Sequence, residues 1–123
     1  MVKLKLLKGV VRNLADSFSS SSNMNVLDYV NSLPKQNRSF DVDILRETIS
    51  PGGASLRESV ARYKRWFLKN LKNLKVPEDE VVSVQLKIDI SYTKLSQNWR
   101  IVSTVKTKEG KEFSDELRVS NVR

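Results

Sequence analysis

The sequence predicts an α+β fold: an antiparallel meander of three to four strands, one long amphipathic helix (about residues 55–75) packed across one face, and an N-terminal helix beside it. Three observations carry this. Residues 55–75 repeat their apolar positions at helical spacing, residues 82–92 alternate with period two, and residues 99–119 read as a hairpin whose register can be argued. All 123 residues are expected to form a single domain, long enough to bury a core without disulfides or metals.

From Met1 the pattern supports two readings. Leu4, Leu7, Val11, Leu14 and Phe18 recur at helical spacing, which predicts a helix over about residues 4–20. Gly9 inside it costs about 1 kcal/mol relative to alanine. A strand over residues 2–6 followed by a shorter helix is the other reading. Residues 19–23 are small and polar, a loop. Val26, Leu27, Val30 and Leu33 suit a short helix ending before Pro34, because the residue preceding proline avoids helical angles; a strand fits this stretch nearly as well. After a polar loop over residues 35–39, Phe40, Val42 and Ile44 alternate with Asp41 and Asp43, as in a half-buried strand. The alternation breaks at Leu45, the mark of a bulge or of the end of pairing.

The central helix is introduced by the turn Ser50-Pro51-Gly52-Gly53-Ala54. Ser55 and Glu58 have the spacing of a capping box, in which serine accepts an orphan amide hydrogen and glutamate reaches back to the cap. Leu56, Val60, Tyr63, Phe67, Leu71 and Leu74 then share one side of a 3.6-residue helix. Lys75 is placed in the last turn, where a cation meets the negative end of the dipole, and Pro77 stops the helix.

Beyond it, Val82, Val84, Leu86, Ile88, Ile90 and Tyr92 fall on every second residue, a strand. Residues 93–98 form the next loop. For the last hairpin, a two-residue turn at Glu109-Gly110 would mix the two faces. A three-residue loop, Lys108-Glu109-Gly110, with Gly110 left-handed, sets Val105 against Phe113, Ile101 against Leu117 and Trp99 against Val119. Lys106 then faces Glu112 as an expected ion pair.

Composition removes whole classes of chemistry. With no cysteine and no histidine, disulfides, thiol nucleophiles, the usual zinc sites and imidazole proton shuttles are excluded. No run approaches the roughly 20 apolar residues of a membrane span. Residues 1–8 are basic and apolar but lack a small-residue cleavage site, so no secretion signal is read and the expected compartment is cytoplasmic. The net charge of +8 is concentrated in two segments. Residues 1–12 carry +4, from Lys3, Lys5, Lys8 and Arg12. Residues 55–75 carry +6, from seven cations against Glu58 alone, which leaves −2 for the rest. Such clustering is a footprint of polyanion binding, though moderate net charge also serves solubility.

On a helical projection Arg62, Arg65, Lys69 and Lys72 form one ridge opposite the apolar stripe, with Trp66 at its margin, where a base could stack while the cations meet phosphates. The competing reading is a solvated basic face with Trp66 packed on the N-terminal helix. Two weaker candidates accompany it. The turn before the central helix could hold a phosphate but lacks the glycine spacing and the Lys-Ser/Thr ending of a nucleotide loop. Asp41 and Asp43 could share magnesium with Glu47 or Asp89 only if the fold brings them together. An Asp89 with Glu109-Gly110-Lys111 arrangement, loosely nuclease-like, falls in a turn and is discounted.

The expected function is therefore that of a small basic nucleic-acid-binding protein, for DNA or RNA, making largely sequence-nonspecific phosphate contacts. The expected site is Arg62, Arg65, Trp66, Lys69 and Lys72, assisted by Lys3, Lys5, Lys8 and Arg12. No catalysis, cofactor, metal or membrane partner is expected. The alternative is a non-catalytic structural or interaction module, a homodimer among the options, meeting its partner through Trp66, Leu68 or a sheet edge.

Overall fold

The computed structural model describes Gly9, Arg12, residues 24–50 and residues 56–120. Within these, helix α1 (Met24–Ser32) leads into strands β1 (Arg38–Asp43) and β2 (Thr48–Ser50), then helix α2 (Arg57–Asn73), a single 3₁₀ turn (Glu78–Glu80), and strands β3 (Val81–Tyr92), β4 (Gln97–Thr107) and β5 (Glu112–Ser120). The strands form one antiparallel sheet in the order β2-β1-β3-β4-β5, with α2 packed on it. The α+β class holds, with five strands where three to four were expected. Gly9 and Arg12 are helical; the remainder of the expected N-terminal helix, the loop over 19–23 and the glycine turn over 51–55 lie outside the described residues.

The extra strand is β2. Leu45 breaks the alternation because the chain turns there: Ile44, Leu45, Arg46 and Glu47 form a four-residue hairpin loop. The Glu47 amide donates to the Ile44 carbonyl at 3.3 Å, and the Arg46 amide donates to Asp43 Oδ1 at 3.0 Å. Ile44 nevertheless donates its amide to the Val84 carbonyl at 2.9 Å and buries its side chain completely. The turn residue is thus also a core residue.

One face of the sheet is apolar. Phe40 and Val42 of β1, Val84, Leu86, Ile88 and Ile90 of β3, Trp99, Ile101 and Val105 of β4 and Leu117 of β5 are buried, joined from α2 by Val60, Phe67 and Leu71 and from just before it by Leu56. Each such side chain contributes on the order of 1.5–3 kcal/mol relative to exposure, which is what holds the helix to the sheet. Tyr63 and Leu74 complete the stripe as half-buried members. Tyr29 of α1 meets Phe40 edge to face, ring centroids 6.4 Å apart.

The last hairpin has the expected register: Val105 pairs with Phe113, Ile101 with Leu117 and Trp99 with Val119, and Gly110 has φ +85°. Lys106 and Glu112 lie opposite each other, but among the described residues the ion pairs involve only Arg12, Arg46, Arg100 and Arg118 as cations, so the expected Lys106–Glu112 pair does not form.

Three details correct the sequence reading. The β3–β4 register shifts between Val81 and Ser83, so Val81 enters the core and Val82, expected inside, is 57% exposed. At its start, α2 has Leu56 at the cap position with no side-chain cap hydrogen bond. At its end, Lys75 lies beyond the helix with φ +59°, not in the last turn, which holds Lys72. The Lys75 amide donates to the Lys72 carbonyl at 3.0 Å and the Val76 amide to the Leu71 carbonyl at 2.9 Å. These two bonds are a Schellman motif, and Leu71 and Val76, the two residues it brings together, are both buried in the core. The helix therefore ends by its own backbone closure at Asn73, four residues before Pro77.

Candidate nucleic-acid interface

The orientation of α2 follows from its apolar stripe: once Val60, Phe67 and Leu71 enter the core, the opposite side must face water. Arg62, Arg65, Lys69 and Lys72 are all exposed. From Arg62 to Lys72 the ridge runs about 15 Å, or roughly four to five nucleotide rises of duplex DNA. None of the four has a carboxylate partner, and neither have Arg57 and Lys64 of the same helix. Among the described residues this ridge is where cations stand together without compensation.

The open face of the sheet contrasts with it. Arg100 of β4 bonds Glu116 of β5 through Nε and approaches Asp89 of β3 at 3.4 Å, Arg118 lies 3.6 Å from Glu116, and Ser39 donates its hydroxyl to Asp89 at 2.5 Å. The hydrogen bond from Arg100 is the main cause that holds the Glu116 carboxyl below its ordinary range, and the same bond with the charge of Glu116 raises Arg100. Arg100, Arg118, Asp89 and Glu116 are thus spent on one another, so a polyanion would have to displace an existing carboxylate to reach these arginines.

Trp66, at the margin of the ridge, is half-buried against the core, and its carbonyl accepts from Asn70 Nδ2 at 2.8 Å. Only part of the indole is available to a ligand. Leu68 is likewise half-buried. Of the expected helpers, Lys3, Lys5 and Lys8 lie outside the described residues. Arg12 is placed 3.3 Å from Asp115 of β5, so a phosphate would compete with a carboxylate for it. No spacing rule links positions 103 apart, and that contact has no signal in the sequence.

The carboxylate candidates do not converge. Asp43 caps the turn at Arg46, Asp89 is held by Ser39 and Arg100, and Asp41 sits across from Lys87. Among the described residues no group of three or more acids is placed to hold a metal ion. The sequence reading also missed two open depressions. One, of about 640 Å³, is lined by Leu33, Lys35, Tyr92, Leu95 and Gln97 among others, and one of about 450 Å³ crosses the open sheet face between Asp43 and Thr104. Both depend on loops or strands meeting in space. No helix of the described residues is long and apolar enough to cross a membrane. Compared with known proteins, the chain matches no family model, no curated protein and no solved structure.

Proposed function

We propose that the protein binds nucleic acid in the cytoplasm, without catalysis, by setting the α2 ridge along a phosphate backbone. The observation that carries this is the uncompensated state of Arg62, Arg65, Lys69 and Lys72, side by side on an exposed helix, in a molecule whose sheet-face arginines are paired. Free cations can release counterions from a polyanion, and paired ones must first break an existing contact. Contacts of this kind position the protein rather than select a sequence, so discrimination among sequences is weak. The half-buried Trp66 plays an accessory part through its exposed edge.

Four phosphate contacts give a slope of log K against log salt of about −3.6 on duplex DNA and about −2.8 on single strands. That is a loss of roughly 150-fold and 50-fold, respectively, between 50 and 200 mM salt. Fluorescence anisotropy with labelled single- and double-stranded oligonucleotides measures both. The fourfold variant Arg62→Glu, Arg65→Glu, Lys69→Glu, Lys72→Glu should abolish binding. Equal affinity for wild type and variant would sink the assignment.

A further inference from the structure

We infer that β5 is a self-pairing edge through which two copies of the chain join their sheets. It is the outermost strand of the described sheet, nine residues long. Thr107 uses both backbone groups across the turn, its amide donating to the Lys111 carbonyl at 2.8 Å and its carbonyl accepting from the Gly110 amide at 3.0 Å. Antiparallel ladders alternate. Phe113, Asp115, Leu117 and Val119 therefore direct their backbone groups to β4, while Ser114, Glu116, Arg118 and Ser120 direct theirs outward, away from the sheet. Among the described residues no other strand meets this row; its one bond is local, from the Glu116 amide to the neighbouring Asp115 Oδ1 at 2.9 Å.

Edges are usually guarded by charge, and the side chains on this one decide which partner it admits. A second β5 can pair antiparallel about several centres. About Glu116, that residue meets its own copy; about Asp115, two aspartates meet on the covered face. About Leu117 the conflict disappears. Glu116 faces the second copy's Arg118 twice, Ser114 faces Ser120 twice, and Leu117 meets Leu117 beside the half-buried Val119. Within one chain Arg118 stands directly opposite Arg100, a like charge, and its nearest acid, Glu116, is already taken by Arg100. The second copy's Glu116, held by its own Arg100 as in the first, brings a further carboxylate to the free side of Arg118. The four outward pairs, two on each side of the junction, would exchange about eight backbone hydrogen bonds.

Antiparallel addition at a sheet edge places the two-fold axis perpendicular to the sheet, so both covered faces lie on the same side. The result is a ten-stranded sheet with both α2 helices over one face.

Sedimentation equilibrium without nucleic acid tests the dimer independently of the binding proposal. Wild type should be dimeric, and Arg118→Glu, which sets Glu against Glu116 twice, should raise the dissociation constant roughly tenfold or more. Circular dichroism checks that the variant stays folded. The register has its own test, because the chain has no cysteine. Oxidised Ser114→Cys/Ser120→Cys should give a covalent dimer, and neither single variant should, since positions 114 and 120 lie about 20 Å apart along one strand. A monomer at all concentrations overturns the inference, as does a dimer indifferent to Arg118→Glu or cross-linked equally by the single variants.

Discussion

Replacing Lys75 by glycine should make the protein more stable. Lys75 closes the Schellman motif of α2 at φ +59°, a conformation that costs a non-glycine residue roughly 1–2 kcal/mol because Cβ crowds its own backbone. Glycine adopts it freely but loses about 0.4–1 kcal/mol more in conformational entropy on folding. The balance favours Lys75→Gly by about 0.5–1 kcal/mol, a rise in melting temperature of roughly 2–4 °C for a domain of this size. The closing bonds, Lys75 to Lys72 at 3.0 Å and Val76 to Leu71 at 2.9 Å, use only backbone and survive the change. Lys75→Ala separates charge from backbone, since it removes the same cation but keeps Cβ; it should stay near wild type. Urea denaturation of the three proteins, with equal slopes, gives the comparison. A midpoint for Lys75→Gly at or below that of wild type would refute the reasoning, as would an equal gain from Lys75→Ala.

Two further expectations concern groups on either side of the sheet. The hydroxyls of Ser59 on α2 and Ser103 on β4 are fully buried without a hydrogen-bond partner, so Ser59→Ala and Ser103→Ala should each be neutral or stabilising by up to about 1–2 kcal/mol, the former aided by helix propensity; a loss above 1 kcal/mol in thermal denaturation would show a partner for the hydroxyl. On the open face Glu116 is held ionised by Arg100, so its folded carboxyl titrates below the unfolded one. Its contribution to stability is present above the ordinary glutamate range, about pH 4.3, and is lost as pH falls through the folded value beneath it. The gap in melting temperature between wild type and Glu116→Gln should therefore narrow as pH is lowered from 7 to 3. A gap constant across that range contradicts the ion-pair assignment.

The candidate ridge was accessible to sequence reasoning because exposure on a helix follows from period alone. Six apolar residues on one side of α2 and its two cap positions oblige Arg62, Arg65, Lys69 and Lys72 to face water, and they do. The projection could put Trp66 only at the border between stripe and ridge, and the depth of the core beside it sets how much indole remains outside. The partners of Arg12 and Arg100 had no such signal, since each contact joins strands or segments far apart in the chain.

By itself the sequence determined what repeats locally: the central helix, read over about residues 55–75, the alternation that becomes β3, and the last hairpin, where one left-handed glycine and three cross-strand apolar pairs permit a single register. Only the tertiary structure decided the rest. A three-residue strand such as β2 is too short to show a period, and a bulge at residues 81–83 reverses which valine is inside without altering the pattern that precedes or follows it. Charge compensation is likewise a matter of distance in space. Arginines paired on the sheet and cations unpaired on the helix come from one sequence, because antiparallel pairing brings acids beside Arg100 and Arg118, whereas among the described residues no acid forms an ion pair with a cation of α2, its own Glu58 included.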